Sequence, residues 1–237
     1  MTKENPIRLV ILLLFIPFAF NSCTNTREKA AVPGITEGAI AYQISYPQNL
    51  SSNPLSFLFP TEMIIYFEGP NQKAQFKNNL SLYNLEFIHN SKYDSVFTLL
   101  KILEKKVYAP SGNNSNIFLF NGANANNLKF NKDSLRNIAG FDCLQAIYTP
   151  DKPGLPHMTI WYTNQIGIEK PNRNTPFEVI PGLMLEFEIL YQNVVFHLKA
   201  SSVTNDSLPE GFFEIPPNYE RTTMLEVESL IKSVISY

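Results

Sequence analysis

Three histidines, at 89, 157 and 197, are the first residues in this 237-residue chain to test for chemistry. None sits in a metal-ligand spacing such as H-x-x-x-H, and a mononuclear zinc site needs three or four converging ligands. With only two cysteines, at 23 and 143, no zinc site and no disulfide framework is expected. A hydrolytic triad needs Ser or Cys beside His and an acid, yet no G-x-S-x-G elbow is present. Carboxylates occur at Asp151, Glu169, Glu178, Glu186 and Glu188. Of these, Glu186 and Glu188 alternate with Leu185 and Phe187 and read as the wet face of one strand. Phosphate-cradling glycine loops are missing, since Ser111-Gly112-Asn113-Asn114 does not open a helix. The chain is therefore expected to have no enzymatic activity and no cofactor.

Chemistry is expected at Cys23. Lys3 and Arg8 precede a twelve-residue run, 9–20, without charge, and polar Asn21 and Ser22 lead directly to the cysteine. That run fits the apolar part of an export signal and falls short of the roughly 20 residues of a spanning helix, with Pro17 weakening the spanning reading further. The arrangement resembles bacterial lipoprotein signals, in a relaxed form with Phe20 where Leu is usual. It implies cleavage before Cys23 and lipidation of its thiol. Residues 1–22 are then the signal, 23–34 a polar tether and 35–237 a single domain. Tethers of surface-exported lipoproteins in Bacteroidetes carry an acidic cluster. Here Glu28 is flanked by Arg27 and Lys29, so by that resemblance the domain is anchored in the outer membrane and faces the periplasm.

Composition supports a packed domain. Apolar residues make up 44% and aromatics 13%, with eighteen Phe and eleven Tyr, which excludes general disorder and leans toward sheet. A net charge of −2 without a basic block argues against a nucleic-acid partner, and Lys105-Lys106 reads as a solvated strand end. Cys143, within Phe141-Asp142-Cys143-Leu144, reads as a buried thiol acting as a small hydrophobe rather than a reactive group.

Alternation in twos, punctuated by Pro, Gly and Asn, predicts antiparallel strands over 39–46, 62–68, 72–77, 81–89, 107–109, 117–120, 128–131, 141–148, 158–163, 183–191 and 194–203. The stretch 94–105 fits a helix or a strand entering a turn. Residues 113–127 read as two loops around a short edge strand. At the C-terminus Thr223 and Glu226 are spaced as a capping box, and Val227, Leu230, Ile231 and Val234 follow on one helical face. No solenoid or propeller repeat appears. Three triplets, Asp94-Ser95-Val96, Asp133-Ser134-Leu135 and Asp206-Ser207-Leu208, resemble the O-glycosylation acceptor of exported Bacteroidetes proteins, which would make Ser95, Ser134 and Ser207 acceptors. They equally fit ordinary turn chemistry.

Four landmarks occur in order: Gly140-Phe141-Asp142-Cys143, Trp161-Tyr162-Thr163, Ile180-Pro181-Gly182-Leu183-Met184, and Phe213-Glu214-Ile215-Pro216-Pro217-Asn218-Tyr219. Together they resemble envelope lipoproteins of the GLPGLI and LolA-like type. Val179 and Met184 depart from the GLPGLI pattern. Locally, Pro181-Gly182 suits a type II turn, and Gly140 and Asn218 suit positive φ. The resemblance implies an α+β, mainly antiparallel domain: a strongly curved sheet, an incomplete barrel, with helical segments on its concave side. It also implies a non-catalytic carrier of an acyl chain or lipoprotein. Leu183, Leu185, Phe187 and Ile189, with Val194, Phe196, Leu198 and Ala200, are the residues expected to line the concavity, either as a ligand wall or as plain core. The rival expectation is an accessory subunit that docks another envelope protein and takes no small ligand. A carrier should show an apolar void of several hundred Å³; an accessory subunit, a filled core with exposed apolar groups.

Overall fold

The computed structural model describes residues 35–93, 95–112, 116–120, 123–151 and 157–235; the signal, Cys23 and the tether lie outside them. Strands β1 (Glu37–Ser45), β2 (Glu62–Glu68), β3 (Asn71–Lys77), β4 (Tyr83–Asn90), β5 (Ser95–Ile102) and β6 (Lys105–Ser111) come first. Then follow β7 (Leu128–Ile138), β8 (Phe141–Tyr148), β9 (Met158–Thr163), β10 (Leu183–Tyr191), β11 (Val194–Thr204), the two-residue β12 (Glu220–Arg221) and helix α1 (Met224–Ile235). They form one sheet in the order β12-β6-β5-β4-β3-β2-β1-β11-β10-β9-β8-β7. All neighbours are antiparallel except β12 and β6. The ends of this order do not pair with each other, so the sheet stays open.

Ring contacts reveal the curvature. Phe118 lies 5.7 Å from the Phe87 ring of β4 and 5.4 Å from the Tyr191 ring of β10. Those strands are five ladder steps apart, which is about 24 Å on a flat sheet. One phenyl ring bridges them only because the sheet curls around it. The concave face carries the main core, from Ile40, Tyr42 and Phe67 through Leu85 and Leu100 to Ile160, Leu185 and Leu198.

The chain returns to cover both faces. On the convex face, residues 205–219 bring Phe213, Ile215 and Tyr219 against Ile88 and Leu99 in a second apolar cluster. Phe212 packs edge-on against Tyr66 at 4.8 Å beneath the Lys73 ammonium, and Asn90 Nδ2 donates to the Phe213 carbonyl at 3.2 Å. The late F-x-I-P-x-x-Y landmark is thus a strap. On the concave face α1 buries Val227, Ile231 and Val234. The Glu226 amide donates to Thr223 Oγ1 at 3.2 Å, the N-cap half of a capping box, while its carboxylate accepts from Lys105 Nζ at 2.8 Å. At the other end the carbonyl of Val234 is satisfied by Asn53 Nδ2 at 3.2 Å.

Several local expectations change. Within the stretch 94–105, whose first residue lies outside the described residues, 95–104 resolve as a strand and turn, with Val96, Leu99 and Leu100 buried. The expected strand at 117–120 is a 3₁₀ turn over Phe118–Phe120, with a second over Ala125–Asn127. Phe118 and Leu119 both bury inward, and no strand can turn adjacent side chains to one face. Strand β7 runs past the expected end at 131 to Ile138 because residues 132–134 bulge out and pairing resumes at Leu135.

Pro181-Gly182 does not make the type II turn, since Gly182 is not among the residues with positive φ. The Gly182 amide instead donates to the Ile180 carbonyl at 2.8 Å, closing a γ-turn. Glycine is required there by close approach: a Cβ would lie 2.4 Å from the Thr163 carbonyl oxygen. Gly140 does have positive φ, at 89°, whereas Asn218 does not.

Candidate functional site

The concave face of β1–β5 and β9–β11 is the place where a ligand or partner group is expected, and its roof comes from two segments. Residues 164–182, between β9 and β10, reach across to β3, where Gln72 Nε2 donates to the carbonyls of Glu169 and Lys170. Residues 116–120 join this roof through the Ile117 amide, which donates to the Asn174 carbonyl at 2.7 Å.

The roof is held by buried polar groups. Asn172, Asn174 and Thr175 are all buried. Asn172 Nδ2 donates to the Gly182 carbonyl at 2.7 Å, and Thr175 Oγ1 donates to the Asn172 carbonyl at 2.7 Å while accepting from the Phe177 amide at 3.1 Å. Lys170 and Asn174 adopt positive φ, 46° and 58°. Phe177, 1% exposed, anchors the segment between the Phe120 and Tyr148 rings at 5.8 and 5.3 Å.

Beneath the roof lies a partly open slot of about 80 Å³. Met63, Phe76, Phe87, Leu183, Phe187 and Ile189 supply apolar walls, and Gln72, His89, Asn172, Arg173, Asn174 and Thr175 supply polar lining. Arg173 is half-buried, and its Nε, shielded from solvent, meets no hydrogen-bond acceptor. Burial moves its pKa below the usual guanidinium value, opposed by the carboxylates of Glu169 and Glu178. A second apolar space of about 20 Å³ lies under α1, between Phe196, Ile231 and Val234. Two wider openings flank the helix. One, about 360 Å³, is bounded by Tyr148, Phe177, Tyr191, Gln192, Glu228 and Lys232; the other, about 320 Å³, by Thr98, Asn116, Met224 and Glu228. Both have mixed polar and apolar walls.

Of the concavity residues expected from sequence, Leu183, Phe187 and Ile189 line the slot, and Ile189 and Phe196 line the space under α1. Leu185 and Leu198 are fully buried core. Leu185 sits at a bulge in β10 between Met184 and Glu186. Beside that bulge Tyr42 Oη donates to the Met184 carbonyl at 2.8 Å. Residues 170–175 and His89 were missed as slot residues. The cluster Asn172-Arg173-Asn174-Thr175 between Pro171 and Pro176, four polar residues in a chain otherwise rich in apolar ones, was the available signal.

The other candidate residues are dispersed. His89 lines the slot, His157 Nδ1 lies 2.9 Å from Thr149 Oγ1, and His197 stands between two carboxylates, 3.4 Å from Glu186 Oε1 and 3.6 Å from Glu188 Oε1. Glu186 is not a wet-face residue: it is 7% exposed and also pairs with Arg136 at 3.1 Å and Lys199 at 3.6 Å. Three side chains, Arg136, His197 and Lys199, converge on that carboxylate and shield it from water, so strand alternation gave its face but not its burial. Among the described residues no group of three or more His, Cys, Asp or Glu is placed to hold a metal. Cys143 is free and fully buried, and burial pushes its thiol up to about 11.

Ser95 opens β5, ahead of buried Val96. Ser134 lies in the β7 bulge, where its Oγ accepts from Asn131 Nδ2 at 2.8 Å and the Asp133 amide donates to Asn131 Oδ1 at 3.2 Å, an Asx turn. Ser207 is exposed in the segment that starts the convex strap.

No protein-family profile matches the chain, and no curated relative does. Among solved structures it is similar to LprF from Mycobacterium bovis, with 13% identity and a TM-score of 0.31 over 73% of this chain and 89% of that one. It is also similar to MucB, with 7% identity and a TM-score of 0.33 over 78% of this chain and 58% of that one. Both superpositions are loose, so the architecture described above rests on this chain's own strand order and packing.

Proposed function

We propose that this chain is a non-enzymatic accessory module of the cell envelope, anchored through lipid on Cys23, that docks another envelope component. The observation that carries this reading is the filled concave face. Phe118, Leu119, Phe177, Ile180 and α1 occupy the concavity and leave apolar spaces of about 80 and 20 Å³. Pockets that enclose a ligand measure about 300–1,000 Å³, so a whole acyl chain has no room without displacing the roof. A second observation agrees. Three loops joined by hydrogen bonds at one end of the sheet, from Asn78 Nδ2 to the Phe57 carbonyl and from the Leu103 amide to the Leu82 carbonyl, present Phe57, Leu80 and Leu103 with 48–60% exposure.

The carrier reading keeps one specific support, the openings of about 360 and 320 Å³ beside α1, which are large enough for a ligand but have mixed polar and apolar walls. Native mass spectrometry of the purified full-length protein separates the two. An accessory module retains no lipid beyond its anchor, and photo-crosslinkers at Leu80 and Leu103 capture one defined envelope protein that crosslinkers at Ser201 on β11 do not. One co-purified lipid per chain in addition to the anchor would overturn the accessory reading in favour of the carrier.

A further inference from the structure

The slot under the roof has a size and a polarity that a mere packing defect does not need. Its apolar volume of about 80 Å³ is roughly half that of an engineered apolar cavity that holds benzene, so it suits about three or four carbons. Its walls are Met63, Phe76, Phe87 and Phe187. Arg173 lines its polar side; the Nε of that residue is out of contact with solvent and has no acceptor, and a buried donor left unmade costs about 1–3 kcal/mol. None of the ion pairs among the described residues involves Arg173; Glu169 and Glu178 act on it only through the field. Asn172 and Thr175 are committed to holding the roof, and Gln72 donates to the roof carbonyls. Arg173 is therefore the cation available at the slot.

The geometry points to a recognition site for a short branched aliphatic group bearing a carboxylate, the aliphatic part filling the slot and the carboxylate pairing with Arg173. Two sources present that chemistry: a free branched short-chain acid, and the C-terminal Val, Leu or Ile of a polypeptide. Arginine suits either, because its planar fork donates two parallel hydrogen bonds to a carboxylate. The site stands independently of the docking reading above, since it is assayed with small probes rather than with a partner.

The test uses the full-length protein in lipid nanodiscs and calorimetric titration with five probes: isovalerate, its neutral counterpart isovaleramide, acetate, an acetylated tetrapeptide ending in leucine, and the same peptide as its C-terminal amide. Isovalerate or the leucine acid is expected to bind, with acetate and the matching amide at least tenfold weaker. Arg173→Gln should remove the preference for acid over amide while leaving the melting temperature within a few degrees. Ala74→Leu, which fills the slot from β3, should abolish binding of both, and retained α1 and sheet signals in circular dichroism show that it folds. If the peptide acid exceeds isovalerate by tenfold the source is a polypeptide end; parity assigns a free acid. Equal binding of acid and amide, no effect of Arg173→Gln, or no binding by any carboxylate probe overturns the proposal. Lipid retention in the native mass spectrum with these probes still binding would sink the docking reading and leave this one standing.

Discussion

Phe187→Ala asks whether the slot is a true apolar void or a well-packed part of the core. Phe187 is 4% exposed, packs edge-on against Tyr42 at 6.0 Å, and forms one slot wall. Losing its burial costs about 2–3 kcal/mol in transfer free energy. The ring leaves about 100 Å³ of new space, worth about 2.4 kcal/mol at 24 cal/mol per Å³, and the edge-on pair adds about 1 kcal/mol. Without relaxation those terms reach about 5–6 kcal/mol; partial collapse of the site, and the ring face that already borders the slot with few partners to lose, bring the expected destabilisation to about 3–4 kcal/mol, the lower part of the range for Phe→Ala. Phe67→Ala is the control, because Phe67 is fully buried and lines none of the described spaces; it should cost about 4–5 kcal/mol. Urea denaturation followed by Trp161 fluorescence and circular dichroism measures both. Merging the ring's space with the slot should also create a cavity of benzene size, so benzene should raise the melting temperature of Phe187→Ala and of neither the wild type nor Phe67→Ala. Equal losses in the two variants, with no response to benzene, would refute the reading of a void beside Phe187.

Tyr42→Phe leaves the Met184 carbonyl at the β10 bulge without its donor and should cost about 1–3 kcal/mol in the same denaturation assay; a change under 0.5 kcal/mol would show that water replaces the hydroxyl. Cys143 should react slowly with a thiol reagent when native and fast in urea. Its thiol rises from 9.0 to about 11 on burial, so its contribution to stability is complete below pH 9 and is lost as pH rises toward 11. Cys143→Ala should flatten that alkaline decline, and rapid native labelling would contradict burial. Cys23→Ala should move the protein from the membrane to the soluble fraction, and unchanged fractionation would remove the lipid anchor from the account. Glu186→Gln should destabilise by about 1–2 kcal/mol, below the 3–5 of a fully buried pair. Its partners Arg136, His197 and Lys199 are 42%, 32% and 45% exposed and can turn to water. A loss above 4 kcal/mol would mean that they cannot.

Strand positions were legible because a half-buried sheet writes its period directly into the sequence. Residues 62–68, 141–148, 158–163 and 183–191 are strands with the expected bounds. Alternation reports only which way a side chain points, so it could not register what lies above it. Glu186 alternates as a surface residue yet is buried by long side chains from β7 and β11. Phe118 and Leu119 read as strand because both are large and apolar; a 3₁₀ turn buries adjacent residues equally well. The Pro181-Gly182 pair named a turn correctly and its type wrongly, because the need for glycine came from the Thr163 backbone, nineteen residues away in sequence. The polar cluster at 172–175 marks Arg173 in the sequence but not its surroundings, for the same reason. Its neighbours in the slot come from β2 to β5 and β10, and only the curl of the sheet brings them together.

A roof that served only to plug the sheet would be cheapest if built from apolar side chains on relaxed backbone. Residues 170–175 depart from both economies. Lys170 holds a positive φ of 46°, a conformation that costs a non-glycine residue about 1–2 kcal/mol. Asn172, Asn174 and Thr175 are taken out of water and must each recover hydrogen bonds inside. What this expenditure fixes is the course of the backbone on both sides of Arg173, whose own amide donates to the Lys170 carbonyl at 3.1 Å. The one side chain of the turn with an unmet donor is thus the one whose position the turn determines most closely. Relaxing the turn while keeping the guanidinium, as Lys170→Gly does by removing the strain, should therefore stabilise the fold slightly or leave it unchanged. It should weaken carboxylate probes by loosening Arg173, and tighter probe binding in that variant would show that the turn's shape serves packing alone.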